Sequence, residues 1–289
     1  MDNNSKDLIE DWKANVANHI ISSSDNTERL AEYALHMSRI LAYPNLDINN
    51  TLKTIDEMAE ELKYSIKNLM PLRPTQLIEQ INNFLFKNKG FKANVQDYYN
   101  PLNSYLNIVL EQKLGIPITL SILYIRVAYC LKFKLYPVNF PAHFLVKHVL
   151  EGDNSEIIID PFNGGRIMDD YTLKELLDQF YPRQNVSLTR AFVEKATSAQ
   201  VMIRMLNNLK GSYYEAQDIY KAQTANEMII AIDQYNPDAI RDKGMILLKR
   251  ENPIQALEML NLYLELDPEA DDADAVLDII RQIRNQLDK

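Results

Sequence analysis

The feature that most constrains the fold is the run LGIPITLSILYIRVAYCL (114–131), which is apolar on nearly every side of a helix. Such a helix is stable only where other protein segments or lipid cover all of its faces. The run is barely long enough to span a membrane, and it contains Arg126, Thr119, Ser121 and Pro117. The sequence therefore predicts the central helix of a protein core, beginning near Pro117.

The composition is that of a globular protein with an acidic net charge. Hydrophobic residues make up 46% of the 289 residues, and the formal net charge is −9. That charge disfavours nucleic acid and anionic membrane surfaces as partners, because both attract clustered basic residues. The chain begins without an apolar signal core, and its single cysteine, Cys130, cannot form an intrachain disulfide. We therefore expect a cytoplasmic protein in a reducing compartment.

The hydrophobic pattern divides the chain into three regions. Residues 1–95 have the 3.6-residue spacing of helices, residues 96–195 combine the buried helix with β-branched and aromatic runs, and residues 197–289 are helical again. The predicted fold class is α+β, with an N-terminal helical region, a mixed core and a C-terminal helical repeat at these bounds.

Three amphipathic helices are predicted in the first region, at 27–42, 49–66 and 73–90. Thr51 is the expected N-cap of the second helix, because a threonine oxygen can accept a bond from a free backbone N–H. Gly90 is expected to end the third helix.

The C-terminal region repeats with the period of a tetratricopeptide protein. Helical patterns end in aspartate-containing turns at Asp233 and Asp267, which are 34 residues apart. The small residues Ala239, Gly244 and Ala256 between them allow two helices to pack closely. Two copies predict a short tetratricopeptide-like (TPR-like) unit, which needs further structure to stack against.

Two apolar runs, 135–150 and 155–160, flank the turn residues 151–154 and predict a β-hairpin. His143 lies in the first run, and Asp160 ends the second. With the turn there, a residue of the first strand lies opposite or diagonal to a residue of the second strand, on the same face, when their two numbers add up to about 303–305. We therefore expect the two side chains to be neighbours, as the base and the orienting group of a catalytic triad.

The nucleophile of such a triad is missing. A catalytic thiol begins a buried helix, where the helix dipole favours thiolate, but the first turn here is IPIT (116–119). Cys130 lies about 20 Å further along the helix axis and is expected to be a small buried hydrophobe. Thr119 and Ser121 are the candidate hydroxyl nucleophiles, and either would need an adjacent base.

Other polar residues are candidates for a binding surface. Asn103, Tyr105 and Asn107 precede the central helix and, with Ser121, either line a cleft or satisfy local backbone groups. His148 lies on the opposite strand face from His143, and no His, Cys, Asp or Glu cluster has metal-ligand spacing. No metal and no other cofactor is therefore expected.

Three segments resemble a known family: YYNPLNSYLNIVLEQKLGIPITLSILYIRVA (98–128), FPAHFLVK (140–147) and IIDPFNGGRIM (158–168). They are similar to the SirB-type branch of the transglutaminase-like superfamily, whose members carry a C-terminal tetratricopeptide region. The resemblance implies a papain-like α+β core in which a buried helix packs against an antiparallel sheet.

The resemblance also assigns roles to individual positions. His143 matches the catalytic histidine of active members and Asp160 the aspartate, whereas the cysteine position falls near Pro117, within one or two residues. This chain therefore departs from the catalytic pattern at its nucleophile. The SirB-type branch commonly has GIP followed by a small hydroxyl residue here, which puts thiol-based acyl transfer in doubt.

Three functions remain open from the sequence. The leading hypothesis is a non-catalytic core that binds a protein or peptide, in a regulatory role, through the His143/Asp160 cleft and the helical repeat. The second is a hydrolase or acyltransferase that uses Thr119 or Ser121 with His143. The third is a structural repeat protein whose core is a cap. The sequence predicts no oligomeric state.

Overall fold

The computed structural model describes residues 3–23, 27–69, 71–150, 152, 155–184 and 186–287. The described α-helices are α1 (Asn3–Trp12), α2 (Asn18–Ser22), α3 (Leu30–Leu41), α4 (Ile48–Ile66), α5 (Pro74–Asn82), α6 (Leu106–Gln112), α7 (Pro117–Cys130), α8 (Asp170–Phe180), α9 (Ser198–Glu215), α10 (Ile219–Ile232), α11 (Pro237–Lys249), α12 (Pro253–Leu266) and α13 (Ala273–Leu287). The described strands are β1 (Lys92–Ala93), β2 (Leu114–Gly115), β3 (Tyr136–Val138), β4 (Leu145–Val149), β5 (Glu156–Asp160) and β6 (Arg166–Met168).

Contacts divide the chain into two compact units. The core unit is Ser22–Met205, and the repeat unit combines Met1–Ile21 with Leu206–Lys289. This division differs from the sequence prediction, which placed the first helices with the N-terminal region. Residues 1–21 belong with the C-terminal helices because α1 packs against α10. In that contact, Trp12 Nε1 donates a hydrogen bond to the Met228 carbonyl at 3.0 Å.

The central helix of the core unit is α7, as predicted. It begins at Pro117, and almost all of its residues are buried, because it contacts α3, α4 and α5 as well as β3 and β4. Its one charged residue, Arg126, is half-buried and makes a two-pronged bond to Asp56, at 2.8 and 2.7 Å. That pairing explains how an arginine is accommodated in an otherwise apolar helix.

The three predicted N-terminal helices are present, with differences at their ends. The N-cap of α4 is Asp47 rather than Thr51, because the Asp47 carboxylate accepts a bond from the Asn50 N–H at 3.0 Å. The helix that follows ends as a π-helical turn, Asn83–Asn88, just before Gly90 at φ +77°.

The sheet of the core unit is antiparallel, in the order β3–β4–β5–β6. Val146 lies opposite Ile159, which is within the predicted hairpin register. His143, however, lies outside the strand, in a bend before β4 where its N–H donates to the Phe140 carbonyl at 3.1 Å. Of the predicted turn at 151–154, all residues but Gly152 lie outside the described ones.

The repeat unit has the helix pairs that the 34-residue period predicts. The C-caps of α10 and α12 are Asp233 and Asp267, the two residues that define the period. A Cβ atom at Gly244 would lie 2.7 Å from the Leu260 side chain, so only glycine permits this approach of α11 and α12. Across the part of the chain that is described, no helix combines the length and the apolar character needed to cross a membrane.

Candidate functional site

The structure brings His143 and Asp160 together. The imidazole Nε2 lies 3.0 Å from the carboxylate Oδ1, and the two residues are only 4% and 0% exposed. Asp160 is the last residue of β5, and the 3₁₀ turn that follows it, Pro161–Asn163, contacts α7. The couple is therefore held between the end of β5 and the central helix.

Asp160 is the centre of a local hydrogen-bond network. Its Oδ1 also accepts bonds from the backbone N–H groups of Phe162 at 3.0 Å and Asn163 at 3.3 Å, and its Oδ2 accepts from Asn163 Nδ2 at 2.7 Å. A carboxylate can only accept, so the proton of the shared bond with His143 lies on Nε2. In the neutral ring, Nδ1 is then the atom that carries a lone pair.

A second network anchors the turn after Asp160 to the central helix. Asn82 donates to the Gly165 carbonyl at 2.7 Å and accepts from the Tyr124 hydroxyl at 2.8 Å. Gly165 has φ +77°, and a Cβ atom there would lie 1.8 Å from the Asn82 oxygen, so glycine is required. The position of the carboxylate is thus fixed by α5, α7 and the turn together.

Aromatic side chains flank the buried couple. The Phe162 and Phe180 rings lie 5.8 and 6.2 Å from the imidazole, Tyr98 packs edge-on against Phe162 at 6.1 Å, and Tyr99 packs on Tyr98 at 5.3 Å. Tyr98, Tyr99 and Phe180 are 37%, 84% and 42% exposed. We call these four residues the aromatic patch. Sequence reasoning missed it, although DYYNP and DPF were visible as aromatic positions in turns.

Neither candidate hydroxyl is hydrogen-bonded to the imidazole. Thr119 is fully buried, donates to the Asn103 carbonyl at 2.9 Å and accepts from the Ile116 N–H at 3.1 Å. Its oxygen therefore closes the first turn of α7. The Ser121 hydroxyl is buried and has no hydrogen-bond partner in the described structure. A hydroxyl is a weak nucleophile unless an adjacent base can accept its proton.

Cys130 ends α7, thirteen residues after Pro117, and is half-buried rather than fully buried as predicted. Its thiol donates a hydrogen bond to Asp56 at 3.2 Å. Burial, together with this bond to a carboxylate, raises the pKa of Cys130 to about 11. The thiol is therefore protonated at neutral pH, which is the opposite of what a nucleophilic cysteine requires.

The polar candidates that precede α7 lie in other environments. The Asn103 side chain donates to the Asp97 and Tyr98 carbonyls and accepts from Asn94, so it shapes the 94–98 turn. Tyr105 is buried, with its ring 5.4 Å from that of Tyr43.

Asn107 lies on a separate shallow pocket beside Tyr43, and its side-chain oxygen is buried without a partner among the described residues. No group of three or more His, Cys, Asp or Glu residues that could hold a metal ion occurs in the described ranges.

Comparison with known proteins identifies two domains. Residues 49–207 match the transglutaminase-like superfamily, and residues 209–281 match the tetratricopeptide repeat. A UPF0162 protein of Xylella fastidiosa is 31% identical over 286 residues, which cover 96% of this chain and 98% of that protein. The UPF0162 protein YchA of Escherichia coli K12 is 27% identical over 249 residues, covering 84% and 86%.

A shorter similarity extends to a eukaryotic protein. F-box only protein 21 of Mus musculus is 38% identical over 141 residues, which cover 47% of this chain and 21% of that protein. No solved structure matches the chain significantly.

Proposed function

The chain belongs to the transglutaminase-like superfamily and carries C-terminal tetratricopeptide repeats, and on that premise we propose that it is a non-catalytic protein- or peptide-binding protein. Its role is regulatory, and it works in the cytoplasm, where a lone protonated thiol such as that of Cys130 stays reduced. The buried couple and its aromatic patch are one recognition surface, and the helical repeat is the other.

The observation that carries the proposal is the first turn of α7. The family resemblance puts the catalytic thiol within one or two residues of Pro117, where this chain has no cysteine, and the Thr119 hydroxyl is engaged by backbone groups. His143 and Asp160 are hydrogen-bonded to each other, but among the described residues no hydroxyl or thiol is hydrogen-bonded to the imidazole. His143 and Asp160 then act as a rigid hydrogen-bonded pair that supports the aromatic patch.

The aromatic patch supports binding rather than packing. Exposed aromatic side chains are the residues that most often dominate protein recognition, because they bury a large area with few rotamers to fix. Here three of them stand exposed beside a buried polar couple, so they can cover an apolar peptide side chain.

The repeat unit supplies the second surface. Lys210, Tyr214, Asp242 and Met245 line a groove on its helices, in which Lys210 and Asp242 form an ion pair of 2.6 Å. Tetratricopeptide repeats generally mediate contacts between proteins, so this groove is where we place the second contact.

One observation favours an alternative, a hydrolase or acyltransferase that uses a hydroxyl with His143. The Ser121 oxygen has no hydrogen-bond partner in the described structure, so it is not committed elsewhere. It is also fully buried, and no substrate carbonyl reaches it without a rearrangement of α7. Binding is therefore the function that the geometry supports best.

A peptide-display selection on the full chain tests the binding proposal. Peptides selected on the unmodified protein are expected to lose at least about tenfold in affinity for Tyr98→Ala and for Phe180→Ala, because each change removes an anchor of the patch. Tyr64→Ala and Tyr235→Ala are matched controls, since both rings are exposed and lie elsewhere. Selected peptides that bind all four variants equally would place the recognition surface outside the patch.

A further inference from the structure

Arg204, near the start of α9, is a half-buried cation without a carboxylate partner. No ion pair of Arg204 occurs among the described residues. The other well-packed arginines differ: Arg126 pairs with Asp56, and Arg241 pairs with Asp272. The chain has 40 acidic residues against 31 basic ones, so the unpaired state of Arg204 does not reflect a shortage of carboxylates.

Arg204 belongs to the same site as His143. Its Nη1 donates to the Phe140 carbonyl at 3.1 Å, and the backbone N–H of His143 donates to that same oxygen at 3.1 Å. Nη1 also donates to the Asn139 side chain. The guanidinium lies over the Phe144 ring, 5.6 Å from its centroid. These contacts fix the arginine against the backbone of the turn that holds His143.

The environment of Arg204 is aromatic rather than acidic. Burial lowers the pKa of Arg204, and the electrostatic interactions that act against this shift are with Tyr98 and Tyr181. Tyr98 is itself part of the aromatic patch. The cation is therefore desolvated beside the patch, a cost that a bound anion would offset.

One edge of the Arg204 guanidinium makes no hydrogen bond in the described structure. Both of its hydrogen bonds use Nη1, and in the described structure neither Nε nor Nη2 has a partner. Neither atom is among the fully buried unpaired atoms of the described residues, which are those of Asn107, Ser121 and Ser198, so neither is completely shielded from solvent. Nε and Nη2 form the side of an arginine that binds a carboxylate through two parallel bonds.

We infer that Arg204 is the carboxylate-recognition residue of the His143 site, and that it binds a carboxylate of the peptide side-on through Nε and Nη2. The inference rests on the proposed peptide-binding role of this site and specifies the chemistry of its ligand. Either the C-terminal carboxylate of a peptide or an aspartate or glutamate side chain provides this group.

Two pairs of short probes separate these sources: acetyl-Phe-Ala with a free or an amidated C-terminus, and acetyl-Phe-Glu-amide against acetyl-Phe-Gln-amide. Binding to the full chain is followed by NMR of ¹³C-labelled histidine, with the His143 signal assigned by His143→Gln. We expect at least one acid to bind about tenfold or more tightly than its amide. The pair that shows this preference identifies the source of the carboxylate.

The same titrations are repeated on variants. Arg204→Gln is expected to abolish the preference for acid over amide, and Arg204→Lys, which keeps the charge but not the two-pronged edge, is expected to reduce it. Arg190→Gln, an exposed arginine paired with Glu156, is the matched control and should keep the full preference. A purely structural role for Arg204 would weaken both members of a pair equally.

The outcomes distinguish this inference from the proposed function. Acid and amide that bind equally well, or a preference that survives Arg204→Gln, overturn the role of Arg204 and leave peptide binding intact. If none of the four probes binds saturably up to about 10 mM, which corresponds to a free energy near −3 kcal/mol, both the inference and the binding role of the site fail.

Discussion

Replacing Asp160 with alanine is expected to lower the free energy of unfolding of the core unit by about 3–5 kcal/mol. The change removes the acceptor of four hydrogen bonds and leaves His143 Nε2 and the N–H groups of Phe162 and Asn163 without it. His143 is buried and Phe162 is half-buried, so water replaces their lost bonds poorly. Urea unfolding followed by circular dichroism measures the loss, and hydrogen exchange localises it to β5 and the turn after it.

Asp47→Ala is the matched control for this experiment. Asp47 is exposed and caps α4 through one bond to the Asn50 N–H, so its replacement is expected to cost about 1 kcal/mol. If Asp160→Ala costs no more than Asp47→Ala, the carboxylate does not organise the site in the way described here.

The second large effect is expected at Trp12, in the repeat unit. Trp12→Ala should lower the free energy of unfolding by about 3–5 kcal/mol, because a fully buried indole leaves a cavity that its neighbours fill only in part. The change also removes the hydrogen bond to the Met228 carbonyl. Increased hydrogen exchange is expected in both α1 and α10, although they are more than two hundred residues apart in the chain.

Trp12→Phe separates the two contributions. It keeps most of the apolar volume and loses the indole N–H, so its expected cost is about 1–2 kcal/mol. If Trp12→Ala changes exchange in α1 alone, the N-terminal helices do not belong to the repeat unit, and the three-region division read from the sequence describes the chain better.

The elements with a strong local signal were predictable from the sequence. The residues of α7 are apolar on nearly every side of the helix, so the helix must be buried wherever it lies. The spacing of Asp233 and Asp267 gives the repeat period directly. The register of the hairpin followed from the position of the predicted turn, 151–154, which brings Ile159 opposite Val146.

Features that depend on distant parts of the chain were not predictable in this way. The bend that places His143 before β4 interrupts an apolar run that reads as one strand. The contact of Trp12 with α10, the packing of Phe180 on the imidazole and the bond from Arg204 to the Phe140 carbonyl join segments with no periodic relation to one another. Only the three-dimensional packing brings such residues together.

The Asp47 cap was missed for a local reason. Thr51 and Asp47 are both good capping residues, and the oxygen of Thr51 bonds instead to the Asp47 carbonyl inside the helix. Where two capping residues lie one turn apart, the sequence alone does not decide between them.

Intact-protein mass spectrometry with reactive probes tests the central claim, that the core unit recognises peptides without covalent chemistry, most directly. A fluorophosphonate probes activated hydroxyls, and a peptidyl vinyl sulfone probes activated thiols. We predict no adduct on Thr119, Ser121 or Cys130 of the folded chain at neutral pH. A stoichiometric adduct on Thr119 or Ser121 that requires the folded protein, and that disappears with His143→Gln, would contradict the account and identify the protein as an enzyme.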